Sequence, residues 1–290
     1  MKKLIHKVSA AVKNTWRQIP KGVKAAWVFF AVAAVSLQYY AGGNAITEVS
    51  AKKVSVGGNV SSANVIKGEK NSTVNGKDLP IYCVQTDDKK VSLSFDAAWG
   101  AEDSIKILDI LDKHNIKVTF FMTGGWVKEY PDVVKEIQAR GHDLGNHSEN
   151  HKEMSKLTVE QNKQEIQKVH DRVKELTGYE MFLFRPPYGD YDSEMIKTVY
   201  EMGYYPIQWS IDSLDWKDYG VDSIIKKVVQ NKNLTGGAII LCHNGAKYTA
   251  EALDELITGV KEKGYEFVPI SEMIIKDNFH MDVTGKQIQN

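Results

Sequence analysis

The feature that most constrains this chain is an alternation of short apolar runs with amphipathic stretches, which extends over roughly 190 residues from Leu79 onward. The apolar runs predict strands, and the stretches with apolar residues three or four positions apart predict helices. This alternation is typical of a mostly parallel sheet with helices outside it, and about seven or eight such units favour a barrel over an open sheet. We therefore expect a single α/β domain at residues 79–276, followed by a C-terminal tail at 277–290.

The segments before this region differ in composition. Residues 1–24 carry seven lysines and arginines and no acidic residue, whereas residues 25–41 carry no charge. At about 1.5 Å per residue, the uncharged run reaches the lower limit for a helix that spans a bilayer. The basic residues ahead of it favour a cytoplasmic N-terminus. We expect a signal-anchor helix at 25–41 and a flexible linker at 42–78, which is rich in Gly, Ser, Asn, Lys and Val.

Residues 25–41 have two other interpretations. A buried core helix is disfavoured because the run is apolar on all faces and lies near the terminus. A cleaved signal peptide is the main alternative, because the strongest apolar part is only about 13 residues long. The long basic lead favours an uncleaved anchor. An uncleaved anchor predicts a single-pass membrane protein with its catalytic domain outside the cytoplasm. A cleaved signal peptide predicts a secreted protein.

Composition argues against one class of partner. The 37 lysines and arginines are balanced by 37 aspartates and glutamates, so the charge gives no reason to expect nucleic acid binding. Cys83 and Cys242 are too few for a disulfide framework, and both lie in apolar, strand-like runs. We expect buried free thiols and a monomer.

Polar residues follow several of the predicted strands. In α/β barrels, residues just past the C-terminal ends of the strands line the active face. The residues in such positions here are Asp96, His147, His151, Arg185, Asp212, Asp215, Trp216 and His243. Their convergence on one rim indicates a catalytic site more strongly than any one of them does.

The histidines suggest two kinds of chemistry. His147 and His151 lie four positions apart, close enough to share a divalent metal, and imidazole suits zinc, cobalt or nickel. In an arbitrary sequence such a pair is more often a solvated turn, but its position after a strand end, in line with four other polar strand ends, favours a metal site. His243 could be a core histidine, yet it titrates near neutral pH and could protonate a leaving group. Either Asp212 or Asp215 could hold its tautomer and raise its pKa.

The remaining rim residues suggest an ion pair and a sugar-binding surface. Arg185 follows a buried strand and needs an anionic partner, for which Asp96 is the obvious candidate. Trp99, Trp126 and Trp216 offer flat faces of the kind that stack on sugar rings, although most tryptophans simply pack.

Five short motifs, in this order and spacing, resemble those of the polysaccharide deacetylases of carbohydrate esterase family 4, the NodB-homology domain. They are SFDAAWG, HSENH, RPPYG, DSLDW and LCHNG, and the resemblance covers residues 89–275. It implies a distorted (β/α) barrel and metal-dependent removal of acetyl groups from N-acetylated glycans such as chitin oligomers or peptidoglycan. The predicted anchor and the FDAAWG motif are most similar to the membrane-anchored members of the cell-wall and sporulation type.

The resemblance also implies a role for each matching residue. Asp96 matches the general base, Arg185 the arginine that orients it, and His243 the general acid. His147 and His151 match the two metal-binding histidines.

Four further residues match the motifs. Asp215 matches the catalytic aspartate of the DSLDW motif, and Trp216 matches the tryptophan of the groove wall. Tyr188 matches the residue whose backbone N–H faces the oxyanion, and Leu241 matches the leucine of the acetyl pocket.

The chain departs from the family pattern at Ala97, where the family usually has a second aspartate that is the third metal ligand. One prediction is therefore an active deacetylase with a loosely held divalent metal, zinc first. The alternative is a pseudoenzyme that binds glycan without hydrolysis, although Asp96, Arg185, Asp215 and His243 are all present. An unrelated metal-dependent hydrolase or sugar-phosphate enzyme ranks last, because the sequence has no glycine-rich phosphate cradle.

Overall fold

The computed structural model describes residues 70–290. The predicted basic N-terminus, the predicted anchor at 25–41 and most of the predicted linker lie outside the described residues. Within residues 70–290, no helix has the length and apolar character needed to cross a membrane.

Four short strands come first in the described chain. They are β1 (Lys70–Asn71), β2 (Thr73–Val74), β3 (Lys77–Asp78) and β4 (Cys83–Val84). β2 and β3 form an antiparallel hairpin whose turn residues, Asn75 and Gly76, have φ angles of 51° and 77°, as a two-residue Asn-Gly turn requires. The hairpin falls in the range predicted as linker, and it is held because Val74 packs on an apolar cluster and the Asp78 N–H donates to Ser193 Oγ at 2.8 Å.

The main sheet has eight strands, all parallel. They are β5 (Lys90–Ala97), β6 (Thr119–Met122), β7 (Asp143–Asn146), β8 (Leu183–Phe184), β9 (Tyr205–Pro206), β10 (Ile211–Asp212), β11 (Ile239–His243) and β12 (Glu266–Phe267). Seven follow the order β10-β11-β5-β6-β7-β8-β9, and β12 pairs with the start of β5. Since no ladder joins β9 to β10 within residues 70–290, the predicted distorted barrel is a curled half-barrel that stays open at one side.

Eight helices connect these strands in the described chain. They are α1 (Ser104–Lys113), α2 (Gly124–Glu129), α3 (Pro131–Ala139), α4 (Val159–Thr177), α5 (Ser193–Glu201), α6 (Val221–Val229), α7 (Thr249–Glu262) and α8 (Ile270–Met273). The ends of α4 follow from its sequence. Thr158 and Gln161 form a capping box, and Gly178 closes the helix with φ at 75°.

The two faces of the sheet have different partners. Alternate residues of β5, among them Leu93 and Phe95, pack in the large core beneath the helices. The opposite face carries Ser92, Ser94 and Asp96. Asp96 therefore points toward the interior of the half-barrel, at the C-terminal edge of the sheet.

The C-terminal residues complete a second, smaller sheet. β13 (Phe279–Met281) and β14 (Lys286–Gln289) pair in the order β1-β13-β14-β4. Phe279 and Met281 belong to a second apolar cluster with Phe121 and Ile239 of the main sheet. Both cysteines are free, as predicted, with Cys242 buried and Cys83 half-buried.

Candidate active site

Parallel strand register brings four of the predicted site residues to one place. Asp96 on β5 lies opposite His243 on β11 in the ladder. His147 follows β7, and its N–H donates to the Met122 carbonyl of β6 at 3.0 Å. Arg185 follows β8, and its N–H donates to the Asn146 carbonyl of β7 at 2.9 Å. The carboxyl ends of adjacent strands thus gather residues that are far apart in the sequence.

Asp96 and Arg185 form the ion pair that the sequence predicted. Arg185 Nη1 donates to Asp96 Oδ1 at 2.7 Å and Nη2 donates to Ser94 Oγ at 2.9 Å, while the guanidinium lies 4.1 Å from the centre of the Phe121 ring. Burial alone would raise the pKa of Asp96, but the adjacent charge of Arg185 outweighs it and lowers the pKa. Asp96 is therefore an ionised carboxylate at neutral pH.

His147 and His151 lie beside this carboxylate. His147 Nε2 is 3.5 Å from Asp96 Oδ2, and the centres of the two imidazole rings are 5.0 Å apart. His147 Nδ1–H donates to the Arg185 carbonyl at 2.7 Å, so Nε2 carries the lone pair that faces the site. Burial lowers the pKa of His147 to about 4 and also lowers that of His151. Both imidazoles are thus neutral at neutral pH, as metal ligands must be.

The donor set fits a divalent metal only in part. Both imidazoles are neutral, and His147 also has the tautomer that a metal needs. In the region from residue 70 to the C-terminus, however, no group of three or more His, Cys, Asp or Glu side chains is arranged to hold a metal. Ala97 is fully buried in the large core with Phe95 and Met122. The site therefore has two imidazole nitrogens that could bind a metal, and it has no carboxylate at position 97 to act as a third ligand.

His243 is held by a buried carboxylate on the other side of the site. His243 Nδ1 and its backbone N–H donate to the two oxygens of Asp215, at 2.7 and 2.6 Å, and the Thr249 hydroxyl also donates to Asp215 at 2.6 Å. The sequence left the partner of His243 undecided between Asp212 and Asp215. The structure shows Asp215 in this role, since Asp212 instead accepts from the Leu214 N–H. Burial would lower the pKa of His243, but the hydrogen bond and charge of Asp215 outweigh it and raise the pKa.

Exposed aromatic rings line both sides of the site. Tyr188, Trp216 and Trp99 are 68%, 49% and 43% exposed. The Tyr188 ring lies 4.5 Å from the His151 ring, and the Trp99 ring lies 5.3 Å from the His243 ring. Tyr188 has a φ of 61°, which is a strained conformation for a residue other than glycine.

Two other predicted residues are buried. Leu241 is 2% exposed and lies opposite Ser94 and Asp212 in the ladders. Trp126 is also 2% exposed, and its Nε1–H donates to the Gly100 carbonyl at 2.7 Å. The prediction that Trp126 offers a face to a sugar is wrong, because the N-terminal turn of α2 points it into the core.

The structure adds supporting residues that the sequence did not reveal. Ser94 binds Arg185, Thr249 binds Asp215, and two side chains of α4, Glu165 and Arg172, bind the segment between the two histidines. Ser94 could have been found, because it lies two positions before Asp96 on the same strand face. Nothing in the sequence connects the other three to the site.

A half-barrel with an ionised carboxylate opposite a carboxylate-supported histidine has the groups that general acid–base catalysis uses, as in an enzyme that hydrolyses its substrate. The comparisons are more specific. The family described as Polysaccharide deacetylase matches residues 84–207. The peptidoglycan-N-acetylmuramic acid deacetylase PdaA of Bacillus subtilis is 33% identical over 208 residues, which are 69% of this chain and 77% of that protein.

Two further relatives agree. The peptidoglycan-N-acetylglucosamine deacetylase PgdA of Listeria monocytogenes is 37% identical over 64% of this chain, which spans 39% of that protein. The solved structure of BA3943 from Bacillus anthracis, described as a CE4 family pseudoenzyme, is 33% identical with a TM-score of 0.65 and covers 73% of each chain. A mutant of it is described as having restored enzymatic activity.

This chain belongs to the polysaccharide deacetylase family, carbohydrate esterase family 4. The resemblance predicted from the five motifs is confirmed, and with it the class of carbohydrate deacetylases. The family generally uses a divalent metal.

Proposed function

We propose that this protein is a metal-dependent deacetylase that removes N-acetyl groups from an extracytoplasmic glycan, either peptidoglycan or a chitin-like polymer of N-acetylglucosamine. One observation carries the proposal. Asp96 and His243 face each other across adjacent strands, and their surroundings shift their pKa values in opposite directions. A base that is ionised and an acid that is protonated at the same pH are what amide hydrolysis requires.

Asp96 acts as the general base. Its carboxylate takes a proton from the water that attacks the acetyl carbon, and Arg185 keeps it in one orientation by the bond at 2.7 Å. Negative charge then develops on the acetyl oxygen, and the backbone N–H of Tyr188, which matches the family's oxyanion position, would stabilise it. A preorganised donor of this kind often contributes a few kcal/mol to the rate.

His243 acts as the general acid. It donates a proton to the amine as the carbon–nitrogen bond breaks, because an unprotonated amine is a poor leaving group. Asp215 holds Nδ1 at 2.7 Å, so Nε2 is the nitrogen that faces the substrate.

His147 and His151 would hold the metal, with zinc first and cobalt or nickel also suited to imidazole. A bound divalent metal polarises the acetyl carbonyl and acidifies the attacking water. With two protein ligands and no carboxylate at position 97, we expect the metal to be held weakly.

The exposed aromatic rings at the site and the named relatives both support a glycan substrate. Trp99 lies 5.3 Å from His243, the exposed Trp216 follows Asp215 in the chain, and Leu241 would contact the acetyl methyl group. The named relatives act on peptidoglycan. Residues 25–41 would anchor the protein to the membrane with the domain outside the cytoplasm, or direct its secretion if they are cleaved.

A pseudoenzyme that binds glycan without hydrolysing it is the second candidate. Two observations favour it. Ala97 is buried where the family usually has a metal-binding aspartate, and a solved relative of similar fold is described as a pseudoenzyme.

The test is acetate release by the purified full chain from peptidoglycan and chitin oligomers, with and without added zinc or cobalt. Metal-stimulated release that Asp96→Asn eliminates is the expected result. If the wild type releases no acetate with any metal but Ala97→Asp does, the pseudoenzyme candidate is correct. If both release none, the deacetylase proposal fails, and binding of the same glycans by the wild type decides whether the pseudoenzyme candidate stands.

A further inference from the structure

The segment that carries both metal-binding histidines has a constrained backbone. Ser148 and His151 have φ angles of 66° and 52°, a region that residues other than glycine rarely adopt. Two bonds within the segment support this turn, one from the Ser148 N–H to Asn146 Oδ1 and one from the His151 N–H to Ser148 Oγ, both at 3.0 Å. The Gly124 and Gly125 N–H groups at the start of α2 donate to the Ser148 and Glu149 carbonyls at 3.0 and 3.3 Å. The side chains of Glu149 and Asn150, which precede His151, are held by helix α4.

Glu165 of α4 holds the residue just before His151. Its carboxylate accepts the Asn150 backbone N–H and the Asn150 side-chain amide, both at 2.8 Å, and Lys152 Nζ at 3.0 Å. Glu165 is only 5% exposed. Because three donors surround a buried carboxylate, the peptide unit that leads into His151 has little freedom to move.

Arg172 holds the same segment from two turns further along α4. Its Nη1 and Nη2 donate to the two oxygens of Glu149 at 2.6 and 2.8 Å, and Nη1 also donates to the Gly124 carbonyl at 2.9 Å. Glu149 Oε2 lies 1.8 Å from where a Cβ on Gly124 would be. The ion pair therefore occupies space that any side chain at position 124 would take.

We propose that Glu165 and Arg172, the α4 anchor, are positioning residues that keep His151 in the geometry that binds the metal together with His147. The inference rests on the proposed function, because it assumes that these two imidazoles hold the metal. It matters more here than in a site with three protein ligands. With no carboxylate at position 97, a segment that moves loses one of only two ligands, so affinity depends on preorganisation.

Three variants disturb the α4 anchor in different ways. Glu165→Gln removes the charge and one acceptor, and Arg172→Gln removes the bidentate bond. Gly124→Ala displaces the Glu149–Arg172 pair while leaving both side chains intact. We expect each variant of the full chain to bind zinc about 10- to 100-fold more weakly in titration calorimetry. The absorption spectrum of the cobalt-loaded protein should change as well, and Arg172→Lys should recover part of the affinity.

Two matched controls separate positioning from general stability. Arg140→Gln breaks a comparable network with Glu136, Asp109 and Asp112, which lies on α1 and α3 and does not contact the histidine segment. Gly125→Ala alters the next residue of α2, where an added Cβ meets no atom within 4 Å. Both controls should bind zinc within about twofold of the wild type, a spread that ordinary surface changes produce.

Amide hydrogen exchange of the metal-free protein gives a second measurement. The Asn150 amide should exchange faster in Glu165→Gln than in either control, since its acceptor is weakened. If the wild type binds zinc and the three anchor variants bind it equally well, the inference is overturned while the proposed function stands. If the wild type binds neither zinc nor cobalt, both the inference and the metal part of the proposed function fail.

Discussion

The two halves of the site differ in how many of their polar side-chain atoms have hydrogen-bond partners within the site. In the acid half, defined as Asp215, His243 and Thr249, both carboxylate oxygens of a fully buried aspartate are engaged by donors. In the metal half, defined as His147, His151 and position 97, two neutral imidazoles lie together beside Asp96, and the residue at position 97 is a buried alanine.

From this contrast we infer that separate hydrogen bonds hold the two halves. The acid half is a closed hydrogen-bond network, so it keeps its geometry whether or not a metal is bound. The proposed metal half has no comparable network, because His147 Nε2 would be engaged by the cation. Loss of the aspartate at position 97 therefore need not disturb the acid half, and the retained acid and base do not by themselves establish a bound metal.

The largest expected effect comes from removing a proton-transfer group. Asp96→Asn and His243→Ala should each lower acetate release by about 100-fold or more, a typical loss for a general base or acid. His243→Ala should leave the zinc affinity unchanged, because the two halves are held separately. Steady-state rates at saturating zinc, with calorimetry on the same samples, check both statements. A His243→Ala protein that also loses zinc would show that the halves are coupled.

The second effect concerns the metal half. His147→Ala should eliminate measurable zinc binding, since it removes one of two ligands, and Ala97→Asp should tighten binding by restoring an anionic one. Titration calorimetry on the three proteins decides this. Equal zinc affinity in the wild type and Ala97→Asp would mean that a carboxylate at this buried position does not reach the metal.

The third effect is a shift in pH dependence. The proposed mechanism needs Asp96 ionised and His243 protonated, so kcat/KM should rise through the lowered pKa of Asp96 and fall through the raised pKa of His243, above about 6.5. Asp215→Asn removes the anion that stabilises the imidazolium. The alkaline limb should therefore move to lower pH, with the zinc affinity unchanged. An alkaline limb that stays in place would mean that another group controls it.

Much of this contrast was predictable from the sequence, because strand ends and motif spacing are local signals. The positions of Asp96, His147, Arg185 and His243 follow from short apolar runs that end in polar residues. The departure at Ala97 is likewise visible in a single motif.

The rest depends on contacts between distant segments. The choice of Asp215 over Asp212 required the irregular chain after β10, and Trp126 is buried because of how α2 begins. The hairpin at residues 73–78 is ordered by packing on the C-terminal strands and α5, which no local pattern reveals. The same holds for Glu165 and Arg172, which lie on a helix whose own periodicity explains only its packing.

The smallest expected effects test whether a different aromatic ring shields each half of the site from solvent. The Trp99 ring lies against His243 and the Tyr188 ring lies against His151. Trp99→Ala should hydrate His243 and shift the alkaline limb of the pH profile, with a KM increase of a few-fold because a stacking face is lost. Tyr188→Ala keeps the backbone N–H and should instead change the zinc affinity by a few-fold, since His151 becomes more exposed. Measuring the pH profile and the zinc titration for both variants gives a two-by-two comparison. If either variant changes both quantities, the two halves share this shielding and their independence is limited to the buried network around Asp215.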